Sequence, residues 1–213
     1  MINNNLQQQA QAIYFDLFSK NARDCWEQGM LSDIAEIVMG QSPSGDSYNE
    51  IATGMVFFQG RAEFGNRFPT IRLYTTEPKR LAKENDILMS VRAPVGDINI
   101  AHEDCCIGRG LAALRSKSGH QSFLLYSLLA MQPQLNVFNG EGTVFGSINR
   151  DSLNKLPITI PDKDSIDKFE STVAPMDAII RANHDENCRL ASIRDSLLPR
   201  LMSGEIDVSA VEI

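Results

Sequence analysis

Apolar positions near the C-terminal end step alternately by three and four: Ile166, Phe169, Val173, Met176 and Ile180, continuing through Asn183, Asn187, Leu190, Arg194, Leu197 and Leu201. This heptad-like seam predicts one long helix over 165–201, shaped to lie along another helix. At about 1.5 Å per residue it would span roughly 55 Å, more than a compact domain needs. Asp162 and Asp164 place carboxylates at its first turn, and Ser203-Gly204 provides a stop. Asn183 and Asn187 interrupt the apolar seam; buried polar residues there cost stability but set register and partner. Pro175 and Pro199 predict a kink near the first and an early end near the second. An amphipathic helix packed only on its own domain would satisfy the same spacing.

A second helical pattern covers about 4–23, where Leu6, Ala10, Ile13 and Leu17 share one face and Gln7, Gln8, Gln9 and Gln11 supply the wet side. It is too short and polar to stand alone. The long helix is its natural partner in an antiparallel pair, with Ile13 and Leu17 facing Phe169, Val173, Met176, Ile180, Asn183, Asn187, Leu190 and Leu197. The chain then divides into an N-terminal helix (1–29), a globular unit (30–161), the long helix (162–204) and a tail (205–213).

Within the globular unit the period changes. A helical turn is expected over Ser32–Val38, capped by Ser32, and 40–46 (Gly-Gln-Ser-Pro-Ser-Gly-Asp) is turn chemistry throughout. Short β-branched or aromatic runs bounded by Gly, Pro or Asn predict strands at 54–59, 70–75, 86–91, 98–101 and 111–115. Lys79–Lys83 reads as a single turn. Gln121–Met131 is apolar nearly all round and predicts a buried helix; 140–143 reads as a loop, Asp151–Leu156 as a helical turn, and Pro157–Pro161 as an extended exit. Helices and strands do not alternate as βαβ units, so the fold class is α+β.

Composition narrows the setting. With 43% hydrophobic and 22% charged residues the chain has the make-up of a soluble globular protein. No apolar run reaches membrane-span length, and the Met-Ile-Asn-Asn-Asn start lacks signal-peptide layout. Cys25, Cys105, Cys106 and Cys188 are scattered, which fits a reduced cytoplasmic interior. The net charge of −7 resides mostly in 161–213, with 6 basic and 11 acidic residues, whereas 30–160 has 12 and 13. Bulk charge therefore disfavours stand-alone nucleic-acid binding, and any DNA role needs local Arg clusters or partner proteins.

Self-contained catalysis finds little support. His102, Cys105 and Cys106 lack a second ligand pair at metal spacing, so no metal site is expected. There is no Gly-x-Ser-x-Gly elbow and no phosphate-cradling Gly-x-x-x-x-Gly-Lys-Ser/Thr. Hydrogen-bonding side chains instead gather beside Gly and Pro turns: Gln41, Ser42 and Ser44; Gln59, Arg61, Asn66 and Arg67; Arg92; Arg109; and Thr143, Ser147, Asn149 and Arg150, with Tyr48 and Phe145 among them. Arg reads guanine and Asn or Gln reads adenine through paired hydrogen bonds, while hydroxyls hold phosphates. An ordinary solvated loop surface has the same residue types, and Arg92 could equally serve a buried carboxylate such as Asp86 or Asp97.

Several stretches in order carry a resemblance: Gly40-Gln-Ser-Pro-Ser44 with Tyr48; Phe57-Phe-Gln-Gly60; Asn85-Asp-Ile-Leu-Met-Ser-Val-Arg-Ala-Pro-Val-Gly-Asp97; and Ile107-Gly-Arg-Gly-Leu111. Gly142-Thr-Val-Phe-Gly-Ser-Ile148, Leu156-Pro-Ile-Thr-Ile-Pro161 and Leu197-Leu-Pro-Arg-Leu-Met-Ser-Gly204 complete the set. Over essentially its whole length the chain resembles one half of the specificity subunit of a type I restriction–modification system. The resemblance implies a DNA target recognition domain at 30–161 that reads one part of a split sequence, flanked by helices that space the readers and dock methyltransferase subunits, and through them restriction subunits. It implies no catalysis in this chain, with S-adenosylmethionine and ATP/Mg carried by partner subunits. Members of full length hold two recognition domains and this chain one, so it is either a half-subunit that dimerises through its helices or part of a longer subunit. A different reading is a structural dimerisation and partner-binding piece that does not itself read DNA.

Overall fold

The computed structural model describes residues 2–140 and 146–206. The helices are α1 (Ile2–Tyr14), α2 (Leu31–Ile34), α3 (Gln121–Ala130), α4 (Gln132–Asn136), α5 (Arg150–Asn154) and α6 (Lys163–Met202). The strands are β1 (Glu27–Met30), β2 (Ala35–Met39), β3 (Tyr48–Asn49), β4 (Met55–Phe58), β5 (Leu73–Thr75), β6 (Leu81–Ala82), β7 (Ile87–Ser90), β8 (Ile98–Ile100), β9 (Cys105–Ile107), β10 (Leu111–Ser116) and β11 (Pro157–Ile160). The architecture is α+β, as the pattern predicts.

Three layers explain the buried runs. An antiparallel sheet ordered β2-β10-β7-β8 lies between the helices and a second sheet ordered β3-β5-β4-β9-β6. Ile87 and Met89 of β7 and Ala112 and Leu114 of β10 belong to the core shared with Phe123, Leu124 and Phe169. Their alternate neighbours Leu88, Leu111 and Ala113 belong to a second core with Val56, Phe58 and Ile107. A sheet covered on both faces needs apolar residues at successive positions, which is why these strands read as continuous runs. α3 lies in the helical layer with Ser122 to Leu128 all buried, matching its all-round apolarity.

Several expectations are corrected. The first helical pattern ends at Tyr14 and the chain continues as a π-helical segment, Phe15–Lys20. Helix α2 is one turn only, capped by Asp33 Oδ2 accepting from the Met30 N–H at 2.7 Å and not by Ser32. Residues 35–38 form a strand, because β10 offers the register Ala112↔Met39 to Ser116↔Ala35. The turn expected over 79–83 is strand β6, paired with Cys105 and Cys106 of the unpredicted strand β9. β1 was also unpredicted; it pairs antiparallel with β11, so the division near residue 29 falls inside a strand pair.

Helix α6 runs unbroken through Pro175 and Pro199, three residues beyond the early end expected at the second. Asp162 caps it by accepting from the Ser165 N–H at 3.0 Å, and Gly204 follows it at φ +74°. α1 lies antiparallel to its first half: Tyr14 meets Phe169 edge-on at 5.7 Å, while at the other end Asn183 Nδ2 donates to Asn3 Oδ1 at 2.8 Å. Phe169, Val173 and Ile180 are buried, with Ile13, Leu17 and Met176 packed against the core. Beyond His184 the predicted seam is uncovered. Asn187 and Arg194 are exposed, as are Leu190 (50%), Leu197 (38%) and Leu201 (41%).

Candidate nucleic-acid interface

The strands deliver their loops to one end of the two sheets. β2 exits into Gly40, β4 into Gln59, β7 into Val91 and β9 into Gly108, and backbone hydrogen bonds join these exits. Gly40 N–H donates to Leu111 O and Gln41 N–H to Ile107 O, at 2.9 and 3.0 Å. Gly108 N–H donates to Phe58 O at 2.8 Å and Val91 N–H to Gly110 O at 2.9 Å. Ile148 N–H donates to Val91 O and Ala93 N–H to Gly146 O, with Arg92 and Ser147 bridged between them. The loops therefore lie together as a strip in which 108–110 is neighboured by 40–42, 59–60 and 91–93, and 146–148 lies beside 91–93.

Glycine permits this spacing. A Cβ on Gly40 would sit 2.1 Å from Gly108 O, and one on Gly108 would sit 2.7 Å from Gln59 O. Close approach of backbones, and not a positive φ, accounts for these two residues. The strip carries Gln41, Ser42, Gln59, Arg61, Arg92, Arg109 and Ser147, with Arg150 two residues after Ile148. Ser42 Oγ accepts from the Arg109 N–H at 3.3 Å, tying the first two loops. Gln41, Gln59, Arg61, Arg92, Arg109, Ser147 and Arg150 are exposed, and Ser44 is exposed in the first loop. Among the described residues Arg92, Arg109 and Arg150 have no carboxylate partner.

Other predicted readers lie elsewhere or are already engaged. Arg67 is 8% exposed; its guanidinium is held by Asp177 of α6 at 2.5 Å and by the Tyr126 hydroxyl at 3.4 Å. Asn66 donates to Asn4 Oδ1 of α1 at 3.0 Å. In this structure both tie the sheet unit to the helices. The Tyr48 hydroxyl donates to Pro43 O at 3.0 Å and its ring packs on Phe57 at 4.8 Å, which stiffens the first loop. Asn149 Oδ1 accepts from the Ser152 N–H at 2.8 Å and caps α5. Thr143 and Phe145 lie outside the described residues. Arg92 serves neither suggested carboxylate: Arg115 grips buried Asp86 with two bonds of 2.7 and 2.8 Å, and Arg61 pairs with Asp97.

The opposite side of the sheet unit meets α6 through polar contacts spaced along the helix. Asp167 binds His120 at 2.7 Å. Glu170 accepts from the Ser122 and Phe123 N–H groups at the start of α3, and burial raises its pKa. Asp177 takes Arg67, the Tyr126 hydroxyl and Ser122 Oγ. Arg181 donates to Asn85 Oδ1 and His102 O, and Asp185 binds His102 at 2.6 Å. The acidic residues of the C-terminal segment are thus, over 167–185, used against the chain's own sheet unit and α3. This ladder was missed because none of its partners is near in sequence.

The cysteines sit in the packing. Cys105 and Cys106 are fully buried on β9, and burial pushes the Cys105 thiol up to about 12, holding it protonated. Among the described residues no three His, Cys, Asp or Glu side chains converge to hold a metal.

The architecture, a mixed sheet unit clasped by two antiparallel helices with a loop strip at its far end, has known counterparts. A family model for the type I restriction modification DNA specificity domain matches residues 24–182. The chain belongs to that family. It is 37% identical over 175 residues to the putative type I restriction enzyme MjaX specificity subunit of Methanocaldococcus jannaschii, covering 81% of this chain and 41% of that protein. It is 26% identical over 194 residues to the type I restriction enzyme HindI specificity subunit of Haemophilus influenzae, covering 85% and 42%. The crystal structure of the HsdS subunit from Thermoanaerobacter tengcongensis matches with a TM-score of 0.65 at 30% identity, over 96% of this chain and 52% of that one. The chain spans less than half the length of either curated relative.

Proposed function

We propose that this chain reads one half of a split DNA target as the specificity component of a type I restriction–modification complex. The observation that carries the reading is the glycine-spaced strip, which gathers Gln41, Ser42, Gln59, Arg61, Arg92, Arg109 and Ser147 from five separate loops on the side away from α6. Exposed arginines and amides beside backbone N–H groups are the donors that duplex DNA accepts. The chain itself is non-catalytic in this reading. Methyl transfer and ATP-driven cleavage belong to methyltransferase and restriction subunits, which carry S-adenosylmethionine and ATP/Mg, and the assembly works in the cytoplasm.

The helices serve as spacer and dock. The first half of α6 is occupied by α1 and the sheet unit, so methyltransferase subunits or a second copy would engage the apolar second half. Two copies paired there would present two readers with two-fold symmetry, suited to a split palindrome.

The test is fluorescence anisotropy of labelled duplex DNA with the chain alone and with methyltransferase subunits, over a salt series. The acidic chain alone is expected to bind weakly with a shallow salt slope that steepens when the partner is added. Arg92→Ala and Arg109→Ala should each lower the slope of the complex by about one. A steep slope for the chain alone, or no effect of either substitution, overturns the reading. The latter outcome would favour the partner-binding role without DNA reading, to which the exposed Leu190–Met202 stripe is the pointer.

A further inference from the structure

The arginines of the strip differ in one respect that the reading as a DNA surface does not use. Arg92, Arg109 and Arg150 have no side-chain acceptor among the described residues, whereas Arg61 is held. Its Nε donates to Asp97 Oδ2, and its Nη1 and Nη2 groups donate to nothing among the described residues. The side chain remains 55% exposed. The Nε side of the guanidinium is therefore occupied, and its Nη groups have no partner among the described residues.

Both ends of this arrangement are anchored. Asp97 N–H donates to Ser90 Oγ at 3.0 Å, and Ser90 N–H donates to Asp97 O at 2.9 Å, with Ser90 itself buried. Arg61 opens a single 3-10 turn, Arg61–Glu63, in which buried Glu63 accepts from the Gly60 N–H at 3.1 Å and pairs with Arg72 at 3.1 Å. Gly60 in turn lies against Gly110, where an added Cβ would meet Gly60 Cα at 3.2 Å.

We infer that Arg61 is a guanine-specifying side chain of this surface, with Asp97 as the positioning residue that presents its Nη edge; the inference rests on the DNA-reading role proposed above. Two parallel N–H donors match guanine O6 and N7 in the major groove. Holding the guanidinium in advance reduces the rotamer freedom lost on binding. The same two donors also fit a phosphate. The Asp97 carboxylate argues against that use, because it repels a phosphate placed beside it, whereas a neutral base edge carries no such penalty. Arg92, Arg109 and Arg150, without a carboxylate partner among the described residues, suit phosphates better, since no neighbouring carboxylate there repels one.

The test selects bound sequences from a randomised duplex DNA pool with the chain and its methyltransferase subunits, using wild type, Arg61→Lys and Asp97→Ala. Equal thermal midpoints for the three proteins check folding. Wild type is expected to enrich sequences with an invariant guanine. Arg61→Lys keeps the charge and loses the paired donors, so discrimination at that guanine alone should fall roughly 5- to 100-fold. Asp97→Ala should relax the same position by less. If Arg61→Lys leaves every position unchanged, or weakens binding equally across all sequences, Arg61 is no guanine reader and the inference fails while the DNA-reading role stands. If wild type enriches no sequence, the DNA-reading role itself fails.

Discussion

Asp177, near the middle of α6, holds the Arg67 guanidinium at 2.5 Å, and with it the sheet unit to the helical layer. The pair is largely withdrawn from water, with side-chain exposures of 17% and 9%, and is shared with Tyr126 and Ser122. Removing one partner of such a pair strands the other charge. Asp177→Ala is therefore expected to cost about 3 kcal/mol, measured by urea denaturation. Replacing both partners by apolar residues, Arg67→Met with Asp177→Leu, should cost clearly less. Equal losses in the single and double variants would mean that the network packs and does not pair.

Gly40→Ala tests the loop strip. Its Cβ would collide with Gly108 O at 2.1 Å, a backbone atom that cannot rotate away. The expected cost is about 1–3 kcal/mol, as for other overpacked sites. DNA affinity should fall with it, because the 40–42 and 108–110 loops must separate. Gly45→Ala, where nothing lies within 4 Å, is the control and should leave the thermal midpoint unchanged.

The joint between α6 and the sheet unit is also expected to respond to pH. His184 packs on Phe68 at 4.5 Å and beside His102 at 5.4 Å, with Asp185, Arg181 and Cys188 around it. Burial, and then the neighbouring His102, lower its pKa below the usual 6.5. A histidine whose folded pKa is depressed contributes stability above its unfolded pKa and loses it as pH falls through the folded value. Wild type should therefore lose more stability than His184→Phe between pH 7 and pH 5. Thermal melts at three pH values measure the difference, and parallel pH profiles would contradict it.

The exposed second half of α6 makes a prediction about assembly. Leu190, Ile193, Leu197 and Leu198 are 38–50% exposed, and none is among the residues of either core. If two copies pair through this stripe, light scattering coupled to gel filtration gives a dimer mass, and Leu190→Asp with Leu197→Asp gives a monomer. The same double substitution should change the unfolding free energy of the monomeric unit by no more than about 0.5 kcal/mol, the range of surface changes. A monomeric wild type would assign the stripe to methyltransferase subunits or to a further recognition half.

The local signals were legible wherever neighbours in sequence supply the chemistry. The three-four spacing of Ile166 to Leu201, the Asp162 cap and the Ser203-Gly204 stop located α6 almost to the residue. The all-round apolarity of 121–131 identified α3. The strands β4, β7, β8 and β10 were legible from β-branched runs between turns, and Gly-rich loops marked the strip.

Strands β1, β6 and β9 were not legible, since two to four residues carry no period and are extended only because β11, β9 and β4 lie beside them. Residue type alone could not sort the arginines. Arg61, Arg67, Arg92, Arg109 and Arg115 look alike in the chain, yet one pairs with Asp97, one with Asp177, one grips Asp86, and two have no carboxylate partner among the described residues. Their roles depend on carboxylates 29 to 110 positions away. The sequence by itself determined α3, α6 with its Asp162 cap, and the α+β class, because these follow from periodicity and short-range hydrogen bonding. Tertiary structure decided which polar side chains face outward and which fasten the sheet unit to its helix, because an ion pair is set by distance in space and not by spacing along the chain.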